Sequence, residues 1–347
     1  MLSTFQKFFV GATVITMAVT VGIFVFFSMS PLPSKITNTI VDEAPVNTDD
    51  NDGTTTLTDN GSASIPTIYV SIVTHVEEPN GQPIHPDFTK NKEAFFTYRD
   101  AFVTFADMLY DLHVSYDWQS DWNLLLAATM FDNGTPSTNN KNFVQYFSEN
   151  LGMPLNPHAH ETQYNYADVA ALIAKLGVEP GGVVGGYLVS PPRLSKLEYL
   201  RAPITGNFYD YTWQAEILWG GGTQGHVNDT NASGVWRPTN TRYITTHDEN
   251  GTLPNVGTYL STWKGLDDLL ALQAAGKLIK GRIYTATVFA PPAEILIEEG
   301  REETRAHIAA LQNEIADGRV VFASIEDVVK IWEERYDGEP NVYQEPE

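Results

Sequence analysis

From Ile68 to Arg335 short β-rich runs alternate with segments of helical period, and that alternation restricts the chain to folds built on a parallel sheet. The first run, Ile68-Tyr-Val-Ser-Ile-Val-Thr-His75, is apolar until its last residues. Such a strand is buried on both faces and delivers polar side chains only at its end. Helical spacing follows over Lys92 to Leu112, then a second strand from His113 to Tyr116. A short helix from Phe143 to Asn150 precedes a third strand, Met153 to His158. Tyr166 to Leu176 (YADVAALIAKL) is amphipathic and closed by Gly177, a residue suited to the left-handed position after a helix. Gly182 to Leu188 is the next strand. Further on, Leu266 to Ala275 reads as helix, Gly281 to Phe289 as strand and Glu298 to Ala316 as a charged helix. Val320 to Ala323 is a last strand and Ile325 to Arg335 a last helix. About 280 residues in this pattern suit one closed or nearly closed α/β barrel.

Between Pro191 and Val256 the alternation breaks into Gly-, Asn-, Thr-, Tyr- and Trp-rich sequence, with Trp219-Gly-Gly-Gly222 and Gly234-Val-Trp-Arg-Pro238. Long irregular insertions of this kind are functional loops more often than scaffold, so part of a binding cleft is expected here. The other end of the chain is different again. Phe8 to Met29 is an uncharged apolar stretch of 22 residues, long enough to span a bilayer at about 1.5 Å per residue. A cleaved export signal has a shorter apolar core, so residues 1–30 read as a signal anchor, with cleavage and secretion as the alternative. Residues 31–65 carry Pro, Thr, Asn, Gly and Ser with six acidic residues, a composition that favours a solvated tether. The expected organisation is therefore anchor (1–30), tether (31–65), barrel (66–338) and tail (339–347), facing the cell exterior or secreted.

Two absences limit the chemistry. No cysteine is present, so any metal must be held by His, Asp and Glu. A formal charge of −22 opposes a nucleic acid or anionic lipid as partner and leaves a neutral or cationic ligand. Asn-x-Ser/Thr patterns begin at Asn60, Asn133, Asn228, Asn231 and Asn250, a pattern short enough to arise by chance in such loops. Phosphate-loop, dinucleotide and nucleophile-elbow motifs are absent.

Three constellations could carry chemistry. Thr74-His75-Val76-Glu77-Glu78 sits where the first strand ends, and in extended chain His75 and Glu77 share a face. Pro157-His158-Ala159-His160-Glu161 follows the third strand, and His-x-His aims two imidazoles to one side while Ala159 points away. His75, Glu77, His158 and His160 together offer nitrogen and oxygen donors suited to zinc, and also to manganese or iron. Trp236-Arg237-Pro238 holds an arginine able to orient a carboxylate and an aromatic able to stack on a sugar. Asp117, Trp118, Tyr187, Trp219 and Trp236 are candidate substrate contacts in a carbohydrate-lined groove, and Trp122 and Trp213 lie near the same loops.

The order of these motifs resembles the polysaccharide deacetylase superfamily of NodB-like barrels, with its seven-stranded glycoside hydrolase relatives, across residues 66 to 338. The resemblance implies a deformed (β/α)7 barrel, a divalent metal with zinc as first choice, and hydrolysis of an N-acetyl or O-acetyl group on a polysaccharide. Glu77 looks like the metal carboxylate, and Arg237 resembles the arginine that braces the base. Val76 falls where the family keeps its Asp base, the histidines are two apart instead of four, and Gly281 to Phe289 contains no histidine. The base would then be Glu78 or Glu161. Three functions remain open on these residues: a metal-dependent deacetylase acting on surface glycan, a glycan-binding protein on the same barrel, and a glycoside hydrolase pairing Asp117 with Glu77.

Overall fold

Every residue of the first strand, β1 (Ile68–Val76), is buried, as its unbroken apolar sequence requires. The computed structural model to which it belongs describes residues 65–185, 196–220, 232–240 and 244–344. After β1 come α1 (Lys92–Asp111), β2 (Tyr116–Ser120), α2 (Trp122–Phe131), α3 (Phe143–Leu151), β3 (Leu155–Pro157), α4 (Tyr166–Lys175) and β4 (Val183–Gly185). The middle of the chain holds α5 (Lys196–Leu200), β5 (Ile204–Thr205), β6 (Thr212–Trp213), β7 (Ile217–Trp219), β8 (Ala232–Ser233), β9 (Val235–Trp236) and β10 (Asn255–Val256). It closes with α6 (Trp263–Ala274), β11 (Tyr284–Phe289), α7 (Pro292–Ile295), α8 (Glu298–Ala310), α9 (Gln312–Ala316), β12 (Val320–Phe322), α10 (Ile325–Arg335) and β13 (Tyr343–Gln344).

The strands form two parallel layers. One runs β11-β1-β2-β3, all parallel, with β12 pairing the first half of β1 while β2 pairs the second half. The other runs β4-β7-β10 in parallel, with β9 added antiparallel. Alternate residues of β1 divide between two cores. Ile68, Val70, Ile72 and Val76 pack on the helices, whereas Tyr69 and Val73 pack against Val183, Ile217 and Trp219 of the other sheet.

The sheets are stitched at two seams. At one, Gly181 N donates to Leu155 O at 2.8 Å and Val183 N to Asn156 Oδ1 at 3.1 Å. A Cβ on Gly181 would lie 2.2 Å from that same Oδ1, so the close approach needs glycine. At the other, Thr287 N donates to Thr258 O at 2.8 Å and Thr285 Oγ1 to Gly257 O at 2.7 Å.

Several expectations need correction. The second strand is Tyr116–Ser120, further along than His113 to Tyr116, because Asp117 and Gln119 face the interior and Trp118 the helices, which disguises it as polar sequence. Helix α2 was not anticipated: WNLLLAATMF is apolar on nearly every side and shows no helical period. The 191–256 region is not loop throughout, since β7 and β10 belong to the second sheet. The charged helix breaks at Leu311, whose side chain is buried. Residues 339–347 are not simply a tail: Asn341 N bonds Val235 O, and β13 pairs with β8. The segments 1–30 and 31–64, with Tyr187, Asn60, Asn228 and Asn231, lie outside the described residues. Among the described residues no helix is long and apolar enough to cross a membrane.

Candidate metal centre

His75 continues the face of β1 that carries Tyr69 and Val73. Its ring is enclosed by Trp219 at 5.0 Å and Phe289 at 5.3 Å, both edge-on, and stacks on His158 at 4.4 Å between centroids. His158 arrives from the neighbouring part of the sheet, where its N–H bonds Ser120 O at 3.0 Å and extends the β2–β3 pairing past Pro157. The two chains converge on Glu77, whose Oε2 lies 3.2 Å from His158 Nε2 and 2.7 Å from His160 Nε2. Both histidines of the His-x-His thus turn to one carboxylate, with Ala159 buried between them.

Ligand atoms of His75, Glu77 and His158 lie within 4.8 Å of one another, the only such group of three among the described residues. Donors bonded to one ion at about 2.0–2.2 Å stand up to about 4.4 Å apart, so a small inward movement brings all three onto a single ion. Two imidazoles and a carboxylate suit zinc, manganese or iron. His75 and His158 are buried while Glu77 is partly exposed, so the ion would be gripped from below and approached from one side. His160 meets Glu77 but falls outside the group of three.

Acidic and phenolic groups ring this centre. Glu78 accepts a short hydrogen bond from Thr162 Oγ1. Asp121, not anticipated as a site residue, caps α2 by accepting from Trp122 N and takes a backbone hydrogen bond from His160. Burial, then the charge of Glu78, holds the Asp121 carboxyl well above the ordinary carboxylate range. Glu161 sits at φ +58°, a left-handed backbone that turns the chain sharply after His160. It bonds Tyr199, whose hydroxyl is pushed up by burial and by that carboxylate. Tyr166 lies fully buried beneath the loop, in hydrogen-bond contact with the Ala159 backbone. The sequence signal for Asp121 was an Asp at a strand end, directly before a helix, hidden because the strand was placed too early and the helix was not anticipated.

The remaining expected site residues lie elsewhere. Trp118 is fully buried among Phe102, Phe143 and Phe147, on the helix side of the sheet. Trp236 is also buried, with Nε1 donating to Ile244 O at 2.6 Å. Trp219 does reach the centre, but as a wall for His75, and its Nε1 bonds Thr287 Oγ1. Arg237 stacks over Trp332 at 4.7 Å and lies 3.9 Å from Glu333, while its backbone N bonds His247 Nδ1. These contacts occupy it away from Glu77, so it braces no carboxylate of the centre. Val76 packs toward the helices.

Asp117 is fully enclosed, accepting from Ile325 N at 3.2 Å where α10 begins. Burial, outweighing that hydrogen bond and reinforced by Glu326 and Asp327, holds its carboxyl well above the ordinary 3.8. The folded state then keeps a proton that the unfolded chain releases, so this group's contribution to stability falls as pH rises above about 4. Asp117→Asn is expected to raise the thermal midpoint at neutral pH and to flatten its decline between acid and neutral pH. Parallel melting curves of wild type and variant over that range check this; identical slopes would count against a protonated Asp117.

No family model and no curated protein matches the sequence. Among solved structures, the chain is similar to a probable polysaccharide deacetylase from Pseudomonas aeruginosa PAO1, at TM-score 0.48 and 11% identity over 77% of this chain and 91% of that one. It is similar to the Puue allantoinase at TM-score 0.45 and 10% identity, over 77% of this chain and 90% of that one. A third likeness is to the 4-alpha-glucanotransferase from Thermococcus litoralis, at TM-score 0.45 and 10% identity, covering 79% of this chain and 41% of that one.

Proposed function

We propose that the chain is a metal-dependent carbohydrate-active hydrolase, a divergent deacetylase-like barrel of (β/α)7 type that removes acyl groups from a neutral glycan. The observation that carries this reading is the convergence of His75, Glu77 and His158 at the ends of adjoining parallel strands. Catalytic groups collect at that end of parallel barrels because the loops there can vary while the strands fix them. A divalent cation held by these three residues, zinc by first choice, would supply Lewis-acid polarisation of an acyl carbonyl and activation of water. Glu78, placed by Thr162, is the residue able to take a proton on the open side. Asp121, held toward its neutral form, and Glu161 with Tyr199 can keep a proton near the leaving oxygen or nitrogen. His160 positions Glu77 through their 2.7 Å contact. The apolar segment at residues 8–29 supports a location outside the cell, anchored or secreted, with the acidic chain repelling anionic surfaces.

The test is to load the full-length chain with zinc, manganese or ferrous iron and follow acetate release from O- and N-acetylated oligosaccharides. Release that a chelator abolishes and metal restores is the expected result; no release with any metal on any acetylated substrate would overturn the hydrolase reading. The observation that favours a purely glycan-binding protein is Val76, an apolar side chain packed into the core at the sequence position where the resembled family keeps its Asp base. In that case sugar binding persists in chelator and no product forms. Glycoside hydrolysis by two carboxylates loses its named partner, because Asp117 is enclosed at the start of α10.

A further inference from the structure

The aromatic side chains expected to line a sugar groove are mostly interior, but Trp122 joins Tyr164, Phe208 and Tyr209 in an ordered stack beside the candidate centre. Trp122 and Tyr164 stack with centroids 4.9 Å apart and planes 29° from parallel. Phe208 continues the stack 4.6 Å from Tyr164 at 37°, and Tyr209 lies 6.3 Å from Tyr164 at 26°. Phe208 is 55% exposed, and the other three are half-buried with their inner edges on the core. The stack adjoins the centre through the chain itself. Trp122 follows Asp121, which binds the His160 backbone, and Tyr164 lies two residues beyond Thr162, the partner of Glu78.

Fully buried Asp168 fixes the loop that carries Phe208 and Tyr209, accepting from Asn207 N at 3.0 Å, Phe208 N at 2.8 Å and Tyr209 N at 3.0 Å. Asn165 Nδ2 adds a bond to Thr205 O at 2.8 Å. A Cβ on Gly206 would come within 2.6 Å of Asp168 Oδ1, so the loop is drawn tightly onto that carboxylate. Three backbone donors bound to one buried acid hold an apolar ring that stays about half in water, more exposure than a ring placed only for packing needs. A ring fixed in this way loses little freedom when a ligand covers it, which favours binding.

We propose that this stack is an extended glycan subsite, with the open ring of Phe208 and the outer edge of Trp122 taking the C–H faces of neutral pyranose units that lie beyond the unit at the metal. The proposal rests on the reading of the centre as a carbohydrate site. Glu77, Glu78 and Glu161 repel a polyanion, and Lys175, with Nζ 3.6 Å from the centre of the Tyr209 ring, disfavours a cationic peptide. Neutral sugar rings meet neither obstacle.

The experiment uses the full-length, chelator-treated chain and titration calorimetry with hexamers and dimers of β-1,4-linked N-acetylglucosamine, mannose and xylose. At least one hexamer is expected to bind about tenfold more tightly than its dimer, a preference worth roughly one or two aromatic contacts. Phe208→Ala and Trp122→Ala should each remove most of that preference, and Phe208→Tyr should keep it. Phe208→Ala, at an exposed position, keeps the test valid if Trp122→Ala fails to fold. Absence of binding by every hexamer, or an unchanged preference in Phe208→Ala, overturns the subsite. Hexamer preference without acetate release from metal-loaded protein would overturn the hydrolase reading and leave the subsite standing. Acetate release with an undiminished preference in Phe208→Ala would do the reverse.

Discussion

Replacing His158 by alanine is expected to remove bound metal and to lower the rate of acyl hydrolysis about a thousandfold, equivalent to ~4 kcal/mol of lost transition-state stabilisation. His158 is fully buried, belongs to the candidate ligand group, stacks on His75 at 4.4 Å and contacts Glu77 at 3.2 Å. His160, which meets the same Glu77 oxygen, lies outside the group of three and would have to move to replace it. Elemental analysis of wild type and variant, with the rate on the same acetylated substrate, reads both effects. Circular dichroism of the metal-free proteins separates loss of the ligand from loss of the fold. A variant that keeps near-stoichiometric metal and full rate would rule out this centre.

Arg99→Leu is expected to destabilise the fold by about 3–5 kcal/mol, the largest effect on stability anticipated for a single substitution here. Its guanidinium is almost wholly buried and reaches Thr135 Oγ1 at 3.0 Å, Thr138 Oγ1 at 3.1 Å and Asp132 Oδ2 at 3.4 Å. Asp132 in turn accepts from Phe143 N and Gly134 N, so one charged pair joins α1 to the end of α2 and the start of α3. A leucine leaves the Asp132 carboxylate buried without its cation, whereas the bond to solvent-exposed Asp100 adds little. Chemical denaturation gives the difference, and a loss below about 1 kcal/mol would show that Asp132 is satisfied by its backbone donors alone.

The parts of this fold that were legible in sequence are those with a long period or a strong contrast. The apolar run Ile68 to His75 and the amphipathic helices Lys92 to Leu112 and Ile325 to Arg335 stand close to where the structure places them. Strands of two or three residues, such as β7 and β10, are too short to show alternation, and α2 has no polar face to reveal its period. For the site, spacing placed His75 with Glu77 and His158 with His160, because i and i+2 share a side in any extended chain. Their meeting depended on β1, β2 and β3 being neighbours, which local sequence does not encode. The aromatic residues misled for a related reason: composition identifies a tryptophan but not which side of a strand it occupies. Trp118 and Trp236 went into cores, while Trp122 stacks with Tyr164 and Phe208 nearer the surface.

The divided edge of β1 bears on how the molecule is made. Its second half finds β2 within some fifty residues, but its first half waits for β12, and its other edge for β11, both more than two hundred residues later. Long-range parallel pairings of this kind form late and slowly. A ribosome will therefore have delivered His75, Glu77 and His158 well before the strands that seal β1 exist. Until β11 and β12 have been made, both edges of the strand that carries His75 offer unpaired backbone groups, the part of the nascent chain most open to wrong pairing.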